Sequence, residues 1–296
     1  MKLGFVGLGK MGKGLVLNMR GKGIEVLAWN RTPNEVSNVE SIEAMVKQLE
    51  TGKRVIWLMV LSTATDAMLA QLKPLLAPGD LIIDGGNVFY KDDLRRAKEM
   101  AEAGILYMDI GVSGGPKGAR EGACLMIGGD KAKYQELMPL WEAISSPKAY
   151  EYFGSVGAGH FAKMVHNGIE YGMMQAIAEG AAIMKASQFN FNLADVFKLY
   201  NNRSVIESRL VGWAQEAFAE NPELSETSSQ IGHLGEGEWT AKTAKELGIE
   251  APVIQASFDV RIKSVDEPEN FRNKVVSALR GKFGGHAVRP GELTLL

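Results

Sequence analysis

Residues 4–15, "GFVGLGKMGKGL", decide how the first half of the chain is read. Gly7-Leu8-Gly9-Lys10-Met11-Gly12 is a G-x-G-x-x-G that follows a β-type run, "KLGFVG" (2–7), and opens a helical one, "MGKGLVLNMRGK" (11–22). Taken alone the pattern is a Gly-rich turn. Between a strand and a helix it acquires a mechanical meaning, because the glycines allow a tight turn and a close approach of backbone to a pyrophosphate. The N–H groups at the helix start then face that anion. Gly7, Gly9, Met11 and Gly12 are the expected dinucleotide contacts.

Further β-type runs follow: "IEVLAWN" (24–30), "RVIWLMV" (54–60), "LIIDGG" (81–86) and "LYMDIGV" (106–112), with "ACLMIGG" (123–129) as an added candidate. Between them "EVSNVESIEAMVKQLE" (35–50), "TDAMLAQLKPLL" (65–76) and "YKDDLRRAKEMAEAG" (90–104) read as helices. Such alternation predicts a parallel sheet covered on both faces. After residue 157 the strand signals stop, and helices are expected over 158–187, 192–202, 204–219, 238–248, 251–265 and 269–280. The expected fold is α/β plus all-α: a Rossmann-type doubly wound parallel sheet over 1–157, then an all-helical domain over 158–296. A cleft between the two is the natural place for a ligand.

The second strand ends "WNRT" (29–32). A site for NAD usually has a carboxylate here to bond the ribose 2′-hydroxyl. Asn30, Arg31 and Thr32 instead offer a guanidinium and a hydroxyl, which suit a 2′-phosphate. NADP is therefore the expected cofactor, with NAD possible.

The chain has 296 residues, 46% apolar and 23% charged, with a net charge of −2, so no global basic field draws it to nucleic acid. A lone cysteine, Cys124, forms no intrachain disulfide and fits a reducing compartment. Its apolar run predicts a buried structural thiol. No apolar stretch nears the roughly 20 residues of a membrane span, and the N-terminus enters a strand directly. A cytoplasmic protein is the simplest expectation.

"KMVHNGIEYG" (163–172) places Lys163, His166, Asn167, Glu170 and Tyr171 in an otherwise apolar helical run. At about 100° per residue all five share one stripe roughly 140° wide. The mix of acid, base and amide groups suits proton transfer better than it suits a solvated face. A satisfied buried network and an ordinary amphipathic surface are the alternatives. No second His or paired carboxylate stands at ligand spacing on this face, so no metal is expected.

"GLGKMG", "NRT", "DGGN" (84–87), "GVSGG" (111–115) and "KMVHNGIEYG", in that order, closely resemble the decarboxylating 6-phosphogluconate dehydrogenases, within the β-hydroxyacid dehydrogenases. "GEGEWT" (235–240), "APVI" with Arg261, and "ALRGKFGGH" (278–286) extend the likeness nearly to the C-terminus. The chain is similar to the shorter branch of that family.

The resemblance implies oxidation of 6-phosphogluconate at C3 by NADP, loss of CO2, and protonation of the enediol to ribulose 5-phosphate. Lys163 matches the family's base and Glu170 the acid at C1. Asn87, Asn167 and Lys163 would surround the C3 hydroxyl. Ser113, Gly114, Gly115 and His166 match the group on the C1 carboxylate, and Tyr171, Arg261, Arg280 and His286 the phosphate contacts. Partial burial would lower the lysine pKa and raise that of Glu170, as those roles need.

Leu234 and Glu236 stand where the longer enzymes carry a Lys and a Thr used on phosphate. They keep open a sister dehydrogenase for a β-hydroxy sugar acid with another terminal anion. A non-enzymatic NADP-binding protein would be expected to lack Lys163 or Glu170, and both are present. The tail "GKFGGHAVRPGELTLL" (281–296) is too rich in Gly and Pro for a helix, yet ends in apolar residues. By the family pattern it completes a neighbouring subunit's site, which predicts a homodimer or a dimer of dimers.

Overall fold

A computed structural model describes residues 1–284. By its internal contacts the chain divides into two compact units, Met1–Lys163 and Met164–Leu296. The first holds seven strands: β1 (Lys2–Val6), β2 (Glu25–Trp29), β3 (Val55–Leu58), β4 (Leu81–Asp84), β5 (Leu106–Ser113), β6 (Ala123–Gly128) and β7 (Ser145–Gly154). Its helices are α1 (Lys10–Gly21), α2 (Ile42–Lys47), α3 (Ser62–Leu72), α4 (Tyr90–Ala101), α5 (Gly115–Glu121), α6 (Lys131–Glu136) and α7 (Met138–Ile144). The strand order is β2-β1-β3-β4-β5-β6-β7. Neighbours run parallel from β2 through to β5, whereas β6 pairs antiparallel with β5 and β7 parallel with β6.

Every residue of β3 and β4 is buried, the mark of strands covered on both faces. The chain leaves β1 to one side for β2 and then crosses to the other for β3, so the strand order reverses beside the Gly-rich turn. Ligands of open α/β sheets bind at such a switch point, outside the carboxyl ends of the strands.

α8 (Ala158–Ala186) runs from the first unit into the second. The second unit continues with α9 (Leu193–Tyr200), α10 (Arg209–Glu220), α11 (Glu236–Glu246), α12 (Pro252–Lys263) and α13 (Phe271–Gly284). Its core joins Met174, Ala178 and Ala181 of α8 to Phe197, Phe218, Val275 and Leu279.

Several expectations are corrected. Residues 35–41 are not helical; α2 begins after Ser41, whose side chain accepts the Ala44 N–H and caps it. The sheet is not wholly parallel. A helix forms at 115–121, directly after the turn at 113–115, and a seventh strand at 145–154. Residues 204–208 lie outside α10, which starts at its N-cap Ser208. Cys124 is exposed rather than buried, since it alternates with inward-facing Ala123 and Leu125 on β6. Gly281–Gly284 extend α13, although their glycines argue against a helix. No described helix is long and apolar enough to cross a membrane.

The start of α8 lies on β5 and β6 with almost no side chain between. A Cβ on Gly159 would come within 2.5 Å of the Met126 carbonyl oxygen, 2.6 Å of that of Asp109 and 2.8 Å of the Gly128 nitrogen. A Cβ on Gly128 would meet the Asp109 carboxylate and the Gly159 nitrogen, and one on Gly111 would strike the Lys163 side chain. Gly159→Ala should therefore lower unfolding free energy by at least about 2 kcal/mol, an overpacking cost with rigid backbone on every side. Gly180→Ala, further along α8 with nothing within 4 Å, should gain up to about 1 kcal/mol of helix propensity. Urea denaturation of both variants checks this contrast, and a Gly159→Ala chain of unchanged stability would contradict the close seating.

Candidate active site

Gly7 takes φ +99°, which favours glycine, and a Cβ on Gly12 would collide with the Gly7 carbonyl. α1 starts at Gly9 without a side-chain cap, leaving its N-terminal turn open to an anion. Leu8, between these glycines, is fixed from both sides. Its N–H donates to Asn30 Oδ1 at 2.8 Å, and its carbonyl accepts from Asn34 Nδ2 at 3.1 Å. Asn30 Nδ2 also donates to the Thr32 carbonyl at 2.7 Å. The Asn30 side chain thus ties the glycine turn to the segment after β2, while Arg31 and Thr32 stand exposed beside it. These features fit a dinucleotide: a cradle that a Cβ would fill, an uncapped helix start, and an exposed cation at the end of β2.

Asn87 follows β4, and Ser113 closes the neighbouring β5. Gly114 and Gly115 adopt φ +118° and +65°, turning the backbone sharply into α5. Successive N–H groups in such a turn can form an anion-binding concavity. Lys163, whose β-carbon lies over Gly111, belongs to the same unit as Asn87 and the Ser113–Gly115 turn.

In the second unit a hydrogen-bonded chain runs from α8 to α11. Asn167 Nδ2 donates to Glu236 Oε1 at 3.0 Å, and Asn167 Oδ1 lies 2.9 Å from His166 Nδ1. The carboxylate accepts only, so it fixes the amide orientation. The amide oxygen then requires a proton on His166 Nδ1. His166 Nδ1 also stands 3.9 Å from Glu170 Oε2. Glu236 is buried in the first turn of α11, where the helix dipole favours its charge.

Tyr171 and Arg261 form the floor of this region. The guanidinium carbon sits 3.2 Å from the centre of the Tyr171 ring, and a Cβ on Gly237 would collide with that ring at Cε2. Burial pushes the Tyr171 hydroxyl up to about 12, and the Arg261 guanidinium down to about 10. Arg280, also buried, is lowered for the same reason. Arg261 Nη2 is buried and has no hydrogen-bond partner among the described residues. A buried guanidinium N–H without an acceptor is costly, which marks the spot as one that an anion would complete.

Tyr171, Arg261 and Arg280 are thus brought together from three helices, with Asn167, His166 and Glu170 along α8. His286 lies outside the described residues. His233 was missed by sequence reasoning; its Nδ1 is buried without a partner among the described residues, and burial followed by the Arg261 charge lowers its pKa. Its only signal is its place three residues before Glu236.

Residues 2–157 match the NAD binding domain of 6-phosphogluconate dehydrogenase, and residues 159–288 match the C-terminal domain of 6-phosphogluconate dehydrogenase. The Bacillus subtilis protein YqeC, provisionally named a 6-phosphogluconate dehydrogenase, is 41% identical over 97% of this chain and 99% of its own length. A NAD(+)-dependent, decarboxylating 6-phosphogluconate dehydrogenase of Haloferax volcanii is 36% identical over 97% of the chain and 98% of its own. The NADP(+)-dependent enzyme of Bacillus subtilis is also 36% identical, but the match spans only 65% of that longer protein. Among solved structures, Plasmodium falciparum 6-phosphogluconate dehydrogenase superposes with a TM-score of 0.83 at 29% identity, covering 94% of this chain and 70% of that one. With both of its domains matched and near-full-length relatives above one-third identity, the chain belongs to the 6-phosphogluconate dehydrogenase family of NAD(P)-dependent oxidoreductases.

Proposed function

We propose that the protein catalyses oxidative decarboxylation of 6-phospho-D-gluconate to D-ribulose 5-phosphate and CO2, with NADP as oxidant. The observation that carries this reading is the buried guanidinium of Arg261, stacked on Tyr171 and with Nη2 unpartnered among the described residues. Such a group calls for a strong anion, and a phosphate ester supplies several acceptor oxygens. Lys163 and Glu170 then stand on the same face of α8, about two turns apart.

The roles follow from the chemistry of each group. The glycine turn and α1 start would hold the pyrophosphate, and Arg31 with Thr32 the 2′-phosphate; bound there, the nicotinamide would accept hydride from C3. Lys163 as the neutral amine takes the C3 hydroxyl proton, and as the ammonium polarises the new carbonyl while the C1 carboxylate leaves as CO2. Asn87 and Asn167 orient the C3 oxygen. Ser113, the N–H groups of Gly114 and Gly115, and His166 hold the carboxylate. Glu170 delivers the proton to C1 of the enediol. Tyr171, Arg261, Arg280 and His286 hold the terminal anion. A homo-oligomer, dimer or dimer of dimers, is part of this proposal.

One observation favours a second reading. Glu236 acts electrostatically on Tyr171, Arg261 and Arg280, so the guanidiniums already face a carboxylate. That weakens the pull on a dianion and suits a β-hydroxy sugar acid with a less charged end. Initial rates of cofactor reduction with 6-phosphogluconate and with glucarate, whose far end is a singly charged carboxylate, each with NADP and NAD, separate the two. The proposal expects turnover with the phosphorylated acid and NADP preferred; turnover of glucarate alone would sink it.

Lys163→Met should lower turnover by about 10³-fold or more, the scale of a lost general acid–base group. Calorimetric affinity for NADP should stay within twofold. Near-wild-type turnover would remove Lys163 as the base.

A further inference from the structure

One buried cluster in the first unit has no part in the roles above. Asp84, Asp93, Asp109 and His160 are at most 1% exposed, and Arg96 and Tyr107 are nearly as buried. Asp109, in β5, caps the start of α8 from the sheet: Oδ1 accepts the Gly157 N–H and Oδ2 the His160 N–H, both at 2.7 Å. His160 Nδ1 lies 2.8 Å from Asp93 Oδ2 on α4. Its Nε2 has no partner among the described residues, so Asp93 is the ring's one described polar tether. Tyr107 Oη lies 2.8 Å from Asp84 Oδ2 and 3.2 Å from Asp93 Oδ1, joining α4 to the end of β4. Asp84 Oδ1 in turn accepts the Gly86 N–H at 3.0 Å, setting the turn just before Asn87. Both Asp109 oxygens serve backbone N–H groups, and the Asp93 oxygen nearest the ring serves the imidazole. The cluster is wired as a hydrogen-bond network and not as a cation cage.

We propose that His160 is a positioning residue for Lys163 and Asn87: its ion pair with Asp93 ties the first turn of α8 to the turn after β4. Lys163 is three residues on from His160, one turn along the same face of the helix. Three carboxylates face the ring, Asp93 from α4, Asp84 from β4 and Asp109 from β5, and Arg96 is the other buried cation, with Nη1 3.7 Å from Asp84. Burial alone would lower the His160 pKa, but these carboxylates outweigh it and hold it at about 9; burial also raises Asp93. The folded value lies above the ordinary 6.5, so the stabilisation is lost as pH rises through about 9; on the acid side the ion pair lasts only until Asp93, raised to about 6 by burial, takes up its proton.

The test uses the full chain with its four histidines labelled with ¹⁵N, and the variants His160→Asn and His160→Leu. Asn keeps a donor near the Nδ1 position and drops the charge; Leu removes both. We expect an imidazolium at pH 7.5 that titrates near 9, absent from both variants. The functional part rests on the reading of Lys163 given above. At pH 7.5 the kcat on 6-phosphogluconate should fall about tenfold in His160→Asn and about a hundredfold in His160→Leu, as for a slightly misplaced reacting group. The KM for NADP should hold within twofold, and the wild-type alkaline break near 9 should vanish from the His160→Asn profile. A neutral His160 at pH 7.5, or a folded His160→Leu chain with turnover within twofold of wild type, would overturn the proposal. If the variants do not fold, the wild-type titration decides. A wild-type chain inert on 6-phosphogluconate sinks the functional reading alone. In that case the rate at which trinitrobenzenesulfonate modifies Lys163 replaces turnover: a rate changed by His160→Asn supports the positioning role, and an unchanged one overturns it.

Discussion

Backbone rests on backbone where α8 begins, and the rest of the candidate chemistry depends on that contact. Gly159 meets the carbonyls of Asp109 and Met126, Gly128 faces the Asp109 carboxylate, and Gly111 leaves room only for Lys163. A close-packed seat of this kind has few alternative arrangements, because any side chain inserted there must displace the sheet. Asp109 adds direction by accepting two N–H groups at the helix start. The first turns of the helix, up to Lys163, are therefore held against the sheet.

Beyond Lys163 the same helix enters a different electrostatic setting. In the second unit Tyr171, Arg261 and Arg280 are all nearly buried, with Glu236 as an internal countercharge. Glu236 also orders Asn167, and through it the proton position on His166. One carboxylate thus sets both the net charge around the two guanidiniums and the orientation of two groups on α8. This coupling explains how an acid can persist beside guanidiniums: it sits at a helix N-terminus and spends one oxygen on an amide.

The central strands were legible because burial on both faces leaves unbroken apolar runs such as "VIWL" (55–58) and "LII" (81–83). The stripe on α8 was legible because helical spacing alone places its members together. β7 was not, since most of its residues are half-buried or exposed and Pro147 interrupts the pattern. Residues 35–41 looked helical from their spacing, but Ser41 competes as a cap and starts the helix late. The seat of α8 was hidden for another reason: a glycine in sequence does not say whether it serves a turn or a contact. Gly111 and Gly159 serve contacts, and only the fold reveals which atoms they meet. Likewise Glu236 looked like a misfit until its bond to Asn167 gave it a partner.

The roles proposed for Lys163 and Glu170 require decarboxylation and not oxidation alone. The most direct measurement supplies 6-phosphogluconate labelled with ¹³C at C1, with NADP, and follows ¹³CO2 and reduced cofactor in one reaction. One ¹³CO2 is expected for each NADPH, with ribulose 5-phosphate as the sugar product. NADPH formed without ¹³CO2, or no reduction at all, would contradict those roles.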